Sequence, residues 1–260
     1  MAAAIRVCIR RLSSSWQNTD TIRMLTADKG LGAAGRGPGF SWGFGGRETG
    51  LPSGLLTARQ VHGRRVVELP AAAAGTARAP GGHAIEADGL VSRGGSIVAV
   101  RTADCVPLLM LADVAGEAGN EATAGVDRRP WAAAVHAGWR GSLAGIVDAA
   151  VEHALASGYR ASSLRVVLGP SVGPCCYEVS AELVERFSSA GMATTTTAVG
   201  QPAIDLRAIN TARLVAMGVR ASRIESTGPC TCCHAEGYYS VRADRAEQGR
   251  QLSWIGWAEG

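Results

Sequence analysis

Five short apolar runs, at 88–92, 96–101, 106–112, 131–136 and 164–168, constrain the fold of this chain more than any other feature. Each is alternating or continuous in its apolar character and is bounded by glycine, aspartate or proline, the pattern of strands buried in a sheet. Helical periodicity appears between and after them. Segment 141–156 repeats apolar residues at Leu143, Ile146, Val147, Ala150, Val151 and Leu155, and Gly158 follows as a stop. Segments 179–188 and 206–217 have the same character, the second with Asp205 as N-cap and Gly218 past its end. Strands alternating with helices, with some strands adjacent, predict an α/β (α+β) fold: a central mixed β-sheet flanked by helices.

A chain of 260 residues that is 47% hydrophobic can bury a substantial core and lies near the upper size of one domain. Glycine and proline concentrate only at 30–54, 71–83 and 191–202, and no clear change of composition follows any of these stretches. They predict surface loops inside a single domain spanning 1–260. The alanine run at 71–74 and the threonine run at 194–197 read as insertions into those loops, without function.

A net charge of +4, with basic and acidic residues interspersed, offers no basic stripe for nucleic acid. It is compatible with an anionic small substrate such as phosphate. Arg101 and Asp104 interrupt the most apolar stretch, 97–112, so no membrane span is expected. The first nineteen residues hold Arg6, Arg10 and Arg11 and no acid, but arginines break every candidate signal-peptide core, and an ordinary cytoplasmic N-terminus is expected. Seven cysteines, an odd number without the spacing of a secreted scaffold, predict a reducing compartment, with some thiols serving as metal ligands or inert buried residues.

Three residues with metal-ligand chemistry stand at turn positions beside the buried runs: His62 in Gln-Val-His-Gly, Cys105 in Thr-Ala-Asp-Cys-Val-Pro, and His136 in Val-His-Ala-Gly-Trp-Arg-Gly. Nearby glycines let backbone approach a bound group closely, and proline fixes the chain direction. Two imidazoles and one thiolate would leave a fourth position open for water or substrate, the arrangement of catalytic zinc. Spacing alone leaves a second reading open, in which these are a core histidine, a buried cysteine and a surface histidine.

At these residues the chain resembles the YfiH-like family, whose members go under the names polyphenol oxidoreductase (laccase-domain) proteins, peptidoglycan editing factors, and purine nucleoside phosphorylases with adenosine deaminase activity. The resemblance spans roughly 55–255. It rests on Gln60-Val61-His62-Gly63, Ala87-Asp88-Gly89-Leu90-Val91, Thr102-Ala103-Asp104-Cys105-Val106-Pro107, Val135-His136-Ala137-Gly138-Trp139-Arg140-Gly141, Gly169-Pro170-Ser171-Val172-Gly173-Pro174, Tyr177-Glu178-Val179, Asp205-Leu206, Tyr239-Ser240-Val241-Arg242 and Gly249-Arg250. It implies zinc on His62, Cys105 and His136, a mixed sheet with flanking helices, and a nucleoside and phosphate as substrates. Region 1–54 departs from the family. Thr26-Ala27-Asp28 and Gly43-Phe44-Gly45 stand where members usually carry Thr-Thr-Arg and Asn-Leu-Gly, and a paired arginine near the end is Arg242-Ala243 here.

Three further residues are catalytic candidates. Asp104, beside the thiolate, could orient a ligand, act as a base, or merely cap a turn. Arg140 and Arg242 could grip phosphate through bidentate hydrogen bonds or form structural ion pairs. Trp139 could stack on a purine or pack in the core, Glu178 is expected to be structural, and His83 and His153 are expected at the surface.

A second pattern, Pro229-Cys230-Thr231-Cys232-Cys233 followed by His234-Ala235-Glu236, contains both halves of the cytidine-deaminase zinc signature. The halves are in the wrong order and within eight residues, too short for two helices, so the thiols read as buried or weakly metal-binding.

The family's older names suggest two alternatives to nucleoside chemistry. A copper oxidase of phenols with four coppers needs about ten imidazoles, by copper(II)'s preference for nitrogen, and this chain has 5 histidines. A zinc hydrolase of peptidoglycan precursors is the other, with a zinc-bound thiolate too poor a nucleophile to act by itself. No interaction motif supports a non-enzymatic binding role.

Overall fold

The computed structural model describes residues 40–69, 75–77, 82–112 and 130–257. The arginines at 6, 10 and 11, the Thr26-Ala27-Asp28 stretch and the alanine run at 71–74 lie outside the described residues.

In chain order the strands are β1 (Phe40–Phe44), β2 (Leu55–Thr57), β3 (Val66–Glu68), β4 (Gly75–Thr76), β5 (Gly89–Ser92), β6 (Ile97–Thr102), β7 (Val106–Ala112), β8 (Trp131–Ala137), β9 (Leu164–Leu168), β10 (Thr195–Thr196), β11 (Pro202–Ala203), β12 (Ile224–Ser226) and β13 (Gln251–Trp257). The helices are α1 (Trp139–Ala144), α2 (Ile146–Ala156), α3 (Ala181–Ser189) and α4 (Leu206–Ala216). Among the described residues, one sheet of six strands runs β12-β9-β7-β8-β5-β3 and a second of five runs β1-β13-β6-β2-β4. Both are mixed: β3–β5 and β9–β12 pair parallel in the first, and β2 pairs parallel with β6 and β4 in the second, within otherwise antiparallel ladders.

Every residue of β7 and β8 is buried. Side chains alternate across a strand, and here each face meets a different layer. Leu108 and Met110 pack with Val135, Ile146, Val147 and Val151 under the helices. Leu109 and Leu111 pack with Ala132, Ala134, Val98, Val100, Ile255 and Trp257 of the second sheet. Alanines at 132 and 134 let the two sheets approach. Burial on both faces is why these strands are continuous apolar runs, and each fully buried leucine contributes about 1.5–3 kcal/mol.

The mixed α/β architecture matches the expectation, and the layering adds to it. The second face of the six-stranded sheet is covered by the five-stranded sheet, so β13 and β1 take the place of a helical layer. The single helix expected over 141–156 is two helices, α1 and α2, broken at Gly145, whose φ of +84° suits glycine. The expected loop at 30–54 contains β1, which pairs along its whole length with β13. Within 191–202 lie β10 and the start of β11, a two-residue antiparallel pair. Asp205 caps α4 as expected, accepting a hydrogen bond from the Ala208 N–H at 3.0 Å. His153 is half-buried, not a surface residue: its Nδ1 accepts from Trp131 Nε1 at 3.3 Å, and burial lowers its pKa. No helix among the described residues is long and apolar enough to cross a membrane.

Candidate metal centre

The register of β7 against β8 brings two of the candidate ligands together. Val106 pairs with Ala137 and Pro107 with His136, so the turn that holds Cys105 abuts the last residues of β8. The third arrives on the loop between β2 and β3. Its Gln60 side chain pairs with the Arg101 backbone at the end of β6 in both directions, the amide nitrogen donating to the carbonyl and the amide oxygen accepting from the N–H, each at 2.8 Å.

One ligand atom from each of His62, Cys105 and His136 lies within 4.8 Å of the others. The two imidazoles meet edge-on, with ring centroids 4.7 Å apart at 69°. His136 is buried, Cys105 half-buried and His62 exposed, so the cluster opens to solvent on the His62 side.

Asp88, just before β5, organises two of the three candidate ligands from a position with no solvent exposure. Its Oδ1 accepts from His136 Nδ1 at 2.8 Å and from the His62 backbone N–H at 3.0 Å. Its Oδ2 accepts from the N–H groups of Gly63 at 2.8 Å and Val61 at 3.2 Å. Burial acts to raise the Asp88 pKa, but these hydrogen bonds, His136 foremost, hold it below 3.8. With Nδ1 committed to a carboxylate, His136 presents Nε2 to the cluster, the tautomer that carboxylate partners impose on metal-ligating histidines. Asp88 is not among the residues singled out from the sequence, although an acid directly before a wholly buried strand is the pattern that marks it.

Gly138 keeps the centre compact. A Cβ on this residue would stand 2.9 Å from both Cys105 Sγ and His62 Nδ1. The Gly138→Ala variant is therefore expected to separate the ligands and lose most bound metal while remaining folded, as read by metal analysis alongside circular dichroism.

The electrostatics favour the ligand form of the thiol. Burial acts to raise the pKa of Cys105, but hydrogen bonds and positive charge from His136 and His62 bring it down to about 6. Burial acts to lower the pKa of His136, yet Asp88 and Cys105 raise it to about 9. Between these values the metal-free centre holds a thiolate beside an imidazolium, and a metal must displace the His136 proton. Zinc affinity of chelator-stripped protein is thus expected to rise about tenfold per pH unit between about 6 and 9, with one proton released per ion. Titration calorimetry in buffers of different ionisation enthalpy measures both.

His62 and Asp104 are the non-glycine residues with positive φ among those described, at +58° and +85°. Backbone in this region is costly and persists where surroundings over-determine it, commonly at functional sites. Asp104 is so determined. Its buried carboxylate accepts from Thr231 Oγ1 at 2.8 Å, Ser240 Oγ at 2.6 Å and the Arg242 N–H at 2.8 Å, while its carbonyl accepts from the Val172 N–H at 2.9 Å. The turn before Cys105 is thereby fastened to two later loops.

Both candidate arginines lie over aromatic faces. The Arg140 guanidinium is 4.3 Å from the Trp139 ring centroid, with Arg186 at 5.2 Å from the same ring. Arg242 lies 4.6 Å from the centroid of Tyr177 and donates to the Glu178 carbonyl at 2.8 Å. Tyr177 is buried, which raises its pKa to about 12, and the charges of Cys105, Arg242 and Asp104 act on it as well. The Tyr177–Arg242 pair thus stands within electrostatic reach of Cys105. The side chains of His234 and Glu236 face each other at 3.3 Å and stand outside the cluster of His62, Cys105 and His136.

The donor set fits zinc: two nitrogens and one sulfur, an open side, an oriented histidine and a glycine cradle. Fold and donors together define a mixed α/β protein with a candidate metal centre. The chain belongs to the family described as multi-copper polyphenol oxidoreductase laccase, whose model matches residues 46–258. It is 32% identical over 214 residues to the purine nucleoside phosphorylase YlmD of Geobacillus stearothermophilus, covering 77% of this chain and 71% of that protein. It is 35% identical over 174 residues to the adenosine deaminase RL5 of an unknown prokaryotic organism, covering 65% of this chain and 61% of that relative's length. The crystal structure of YlmD from Geobacillus stearothermophilus superposes with a TM-score of 0.66 at 30% identity, covering 80% of this chain and 74% of that one.

Proposed function

We propose that the protein is a zinc-dependent purine nucleoside phosphorylase that also deaminates adenosine, working in the cytoplasm. The carrying observation is the open three-ligand centre of His62, Cys105 and His136, with Asp88 setting the tautomer of the buried histidine. The names of the relatives, purine nucleoside phosphorylase and adenosine deaminase, support this chemistry over the oxidase name of the family. So does the histidine count, because 5 imidazoles in the whole chain are about half of what four coppers require.

Zinc held there would supply Lewis acidity, polarising an oxygen of phosphate or water. The chain's own residues do the rest. Arg140 and Arg242 bind phosphate by charge-assisted hydrogen bonds, and their aromatic partners Trp139 and Tyr177 hold each guanidinium in place. The planar faces of the same pairs suit a purine. Asp104, with its carboxylate occupied by three donors, positions Cys105 and Arg242 and is not the base.

The test is product analysis with inosine and adenosine, with and without phosphate. Hypoxanthine from inosine only when phosphate is present, and inosine from adenosine without it, is the expected result. Stoichiometric zinc with no product from either nucleoside would overturn the proposal.

A further inference from the structure

A second group of potential ligands lies outside this centre. Sγ atoms of Cys175, Cys176, Cys230 and Cys233 all lie within 4.8 Å of one another. Cys233 is 3.4 Å from Cys176 and 3.6 Å from Cys175, and all four are free thiols. These separations are far beyond the disulfide length of about 2.05 Å. They are close to the edge of a tetrahedron of thiolates around one zinc ion, roughly 3.8 Å for Zn–S bonds of about 2.3 Å. A cluster of several irons, each with its own cysteine, would spread the sulfurs farther apart.

The backbone prepares this convergence. The turn at 173–177 and the turns from 230 onward come from segments more than fifty residues apart, joined by a parallel bridge between Ser171 and Cys230 and a Thr231 N–H to Ser171 carbonyl bond at 3.1 Å. The Gly173 N–H donates to Cys230 Sγ at 3.2 Å, the kind of backbone hydrogen bond that supports a thiolate ligand. A Cβ on Gly173 would stand 3.3 Å from Cys175 Sγ and 3.4 Å from Cys230 Cβ, so the loop passes close to the thiols.

We infer that Cys175, Cys176, Cys230 and Cys233 form a second, tetrathiolate zinc site, closed by four protein ligands and structural in role. It differs from the first centre, where three ligands leave a position open. Its place in the chain gives it a task. Tyr177 follows Cys176 directly, and Thr231, next to Cys230, donates to Asp104. An ion binding the two turns together holds the loops that fasten the Cys105 turn and carry the Tyr177–Arg242 pair. The inference does not rest on the nucleoside reading, since no residue is shared between the two sites.

Metal analysis of the full chain, purified under reducing conditions, should find two zinc ions per chain, one for each group of ligands. The His62→Ala/His136→Ala variant should retain one. After exchange for cobalt, that ion should show thiolate charge-transfer absorption about fourfold stronger than a one-thiolate centre gives, in proportion to its four sulfurs. The Cys175→Ser/Cys233→Ser variant should also hold one ion, with the weak charge transfer of the first centre. Should that variant fail to fold, the histidine variant still decides. No metal in the histidine variant, or a disulfide among the four cysteines in freshly isolated protein, would overturn the second site, whatever the outcome of the nucleoside assays.

Discussion

Replacing His136 by alanine is expected to empty the first metal centre and lower kcat/KM for phosphorolysis by at least roughly a thousandfold. A metal that polarises the attacking oxygen supplies several kcal/mol, and about 1.4 kcal/mol is a factor of ten in rate. The loss should not come from unfolding alone. His136 is the penultimate residue of β8, and its strand neighbours Ala132, Ala134 and Val135 belong to the two apolar cores, so the sheet is expected to survive. Activity, metal content and thermal midpoint measured on one preparation separate the two effects. A variant that loses its zinc and keeps its activity would show that the reaction proceeds elsewhere.

Asp88→Asn should produce the second large effect, by a different route. The carboxylate accepts four hydrogen bonds with no exposed surface. An amide can place its oxygen toward two of these donors but turns N–H groups toward the others. Buried donors left facing donors cost about 1–3 kcal/mol each, and a lost partner of a metal-ligating histidine costs about 10–100-fold in metal affinity. The variant should therefore be less stable by about 2–4 kcal/mol and bind zinc 10–100-fold more weakly. Because a depressed carboxylate pKa stabilises the fold only while the group is ionised, wild-type stability should fall as pH drops below about 3.8. The variant should show less of that loss. Denaturant melts across this range measure both.

Much of the core was legible in the sequence. The runs at 106–112, 131–136 and 164–168 correspond to β7, β8 and β9 within a residue, because strands buried on both faces must be apolar throughout and end at polar or turn residues. β13 was not read, although Gln251–Trp257 forms the backbone of the second sheet. Its Ser253 and Gly256 interrupt the apolar run, and its burial comes from β6 and β1, which lie far away in sequence. β1 was hidden for a similar reason: a segment containing Gly43 and bordered by glycines looks like a loop until a partner strand is supplied.

At the candidate metal centre the donor residue types could be recognised, but what orients them could not. Asp88 carries no signal of its partners in the sequence because these are backbone amides and an imidazole from two other segments. Asp104 could be placed beside a ligand, yet its hydrogen bonds go to Thr231, Ser240 and Arg242, more than a hundred residues on. The four thiols of the second group were each visible, and Cys230 to Cys233 even suggested a metal motif. Their partners at 175 and 176 are brought near only by the parallel pairing of β12 with β9 and the bridge that continues it.

The most direct measurement of the central claim is reconstitution of chelator-stripped protein with zinc or copper, following inosine phosphorolysis and oxygen consumption on a phenol in parallel. Phosphorolysis that returns with zinc, saturates when the centre of His62, Cys105 and His136 is filled, and fails to return in Cys105→Ala is the predicted result. Oxygen consumption that returns with copper, with no base released from inosine under either metal, would contradict it.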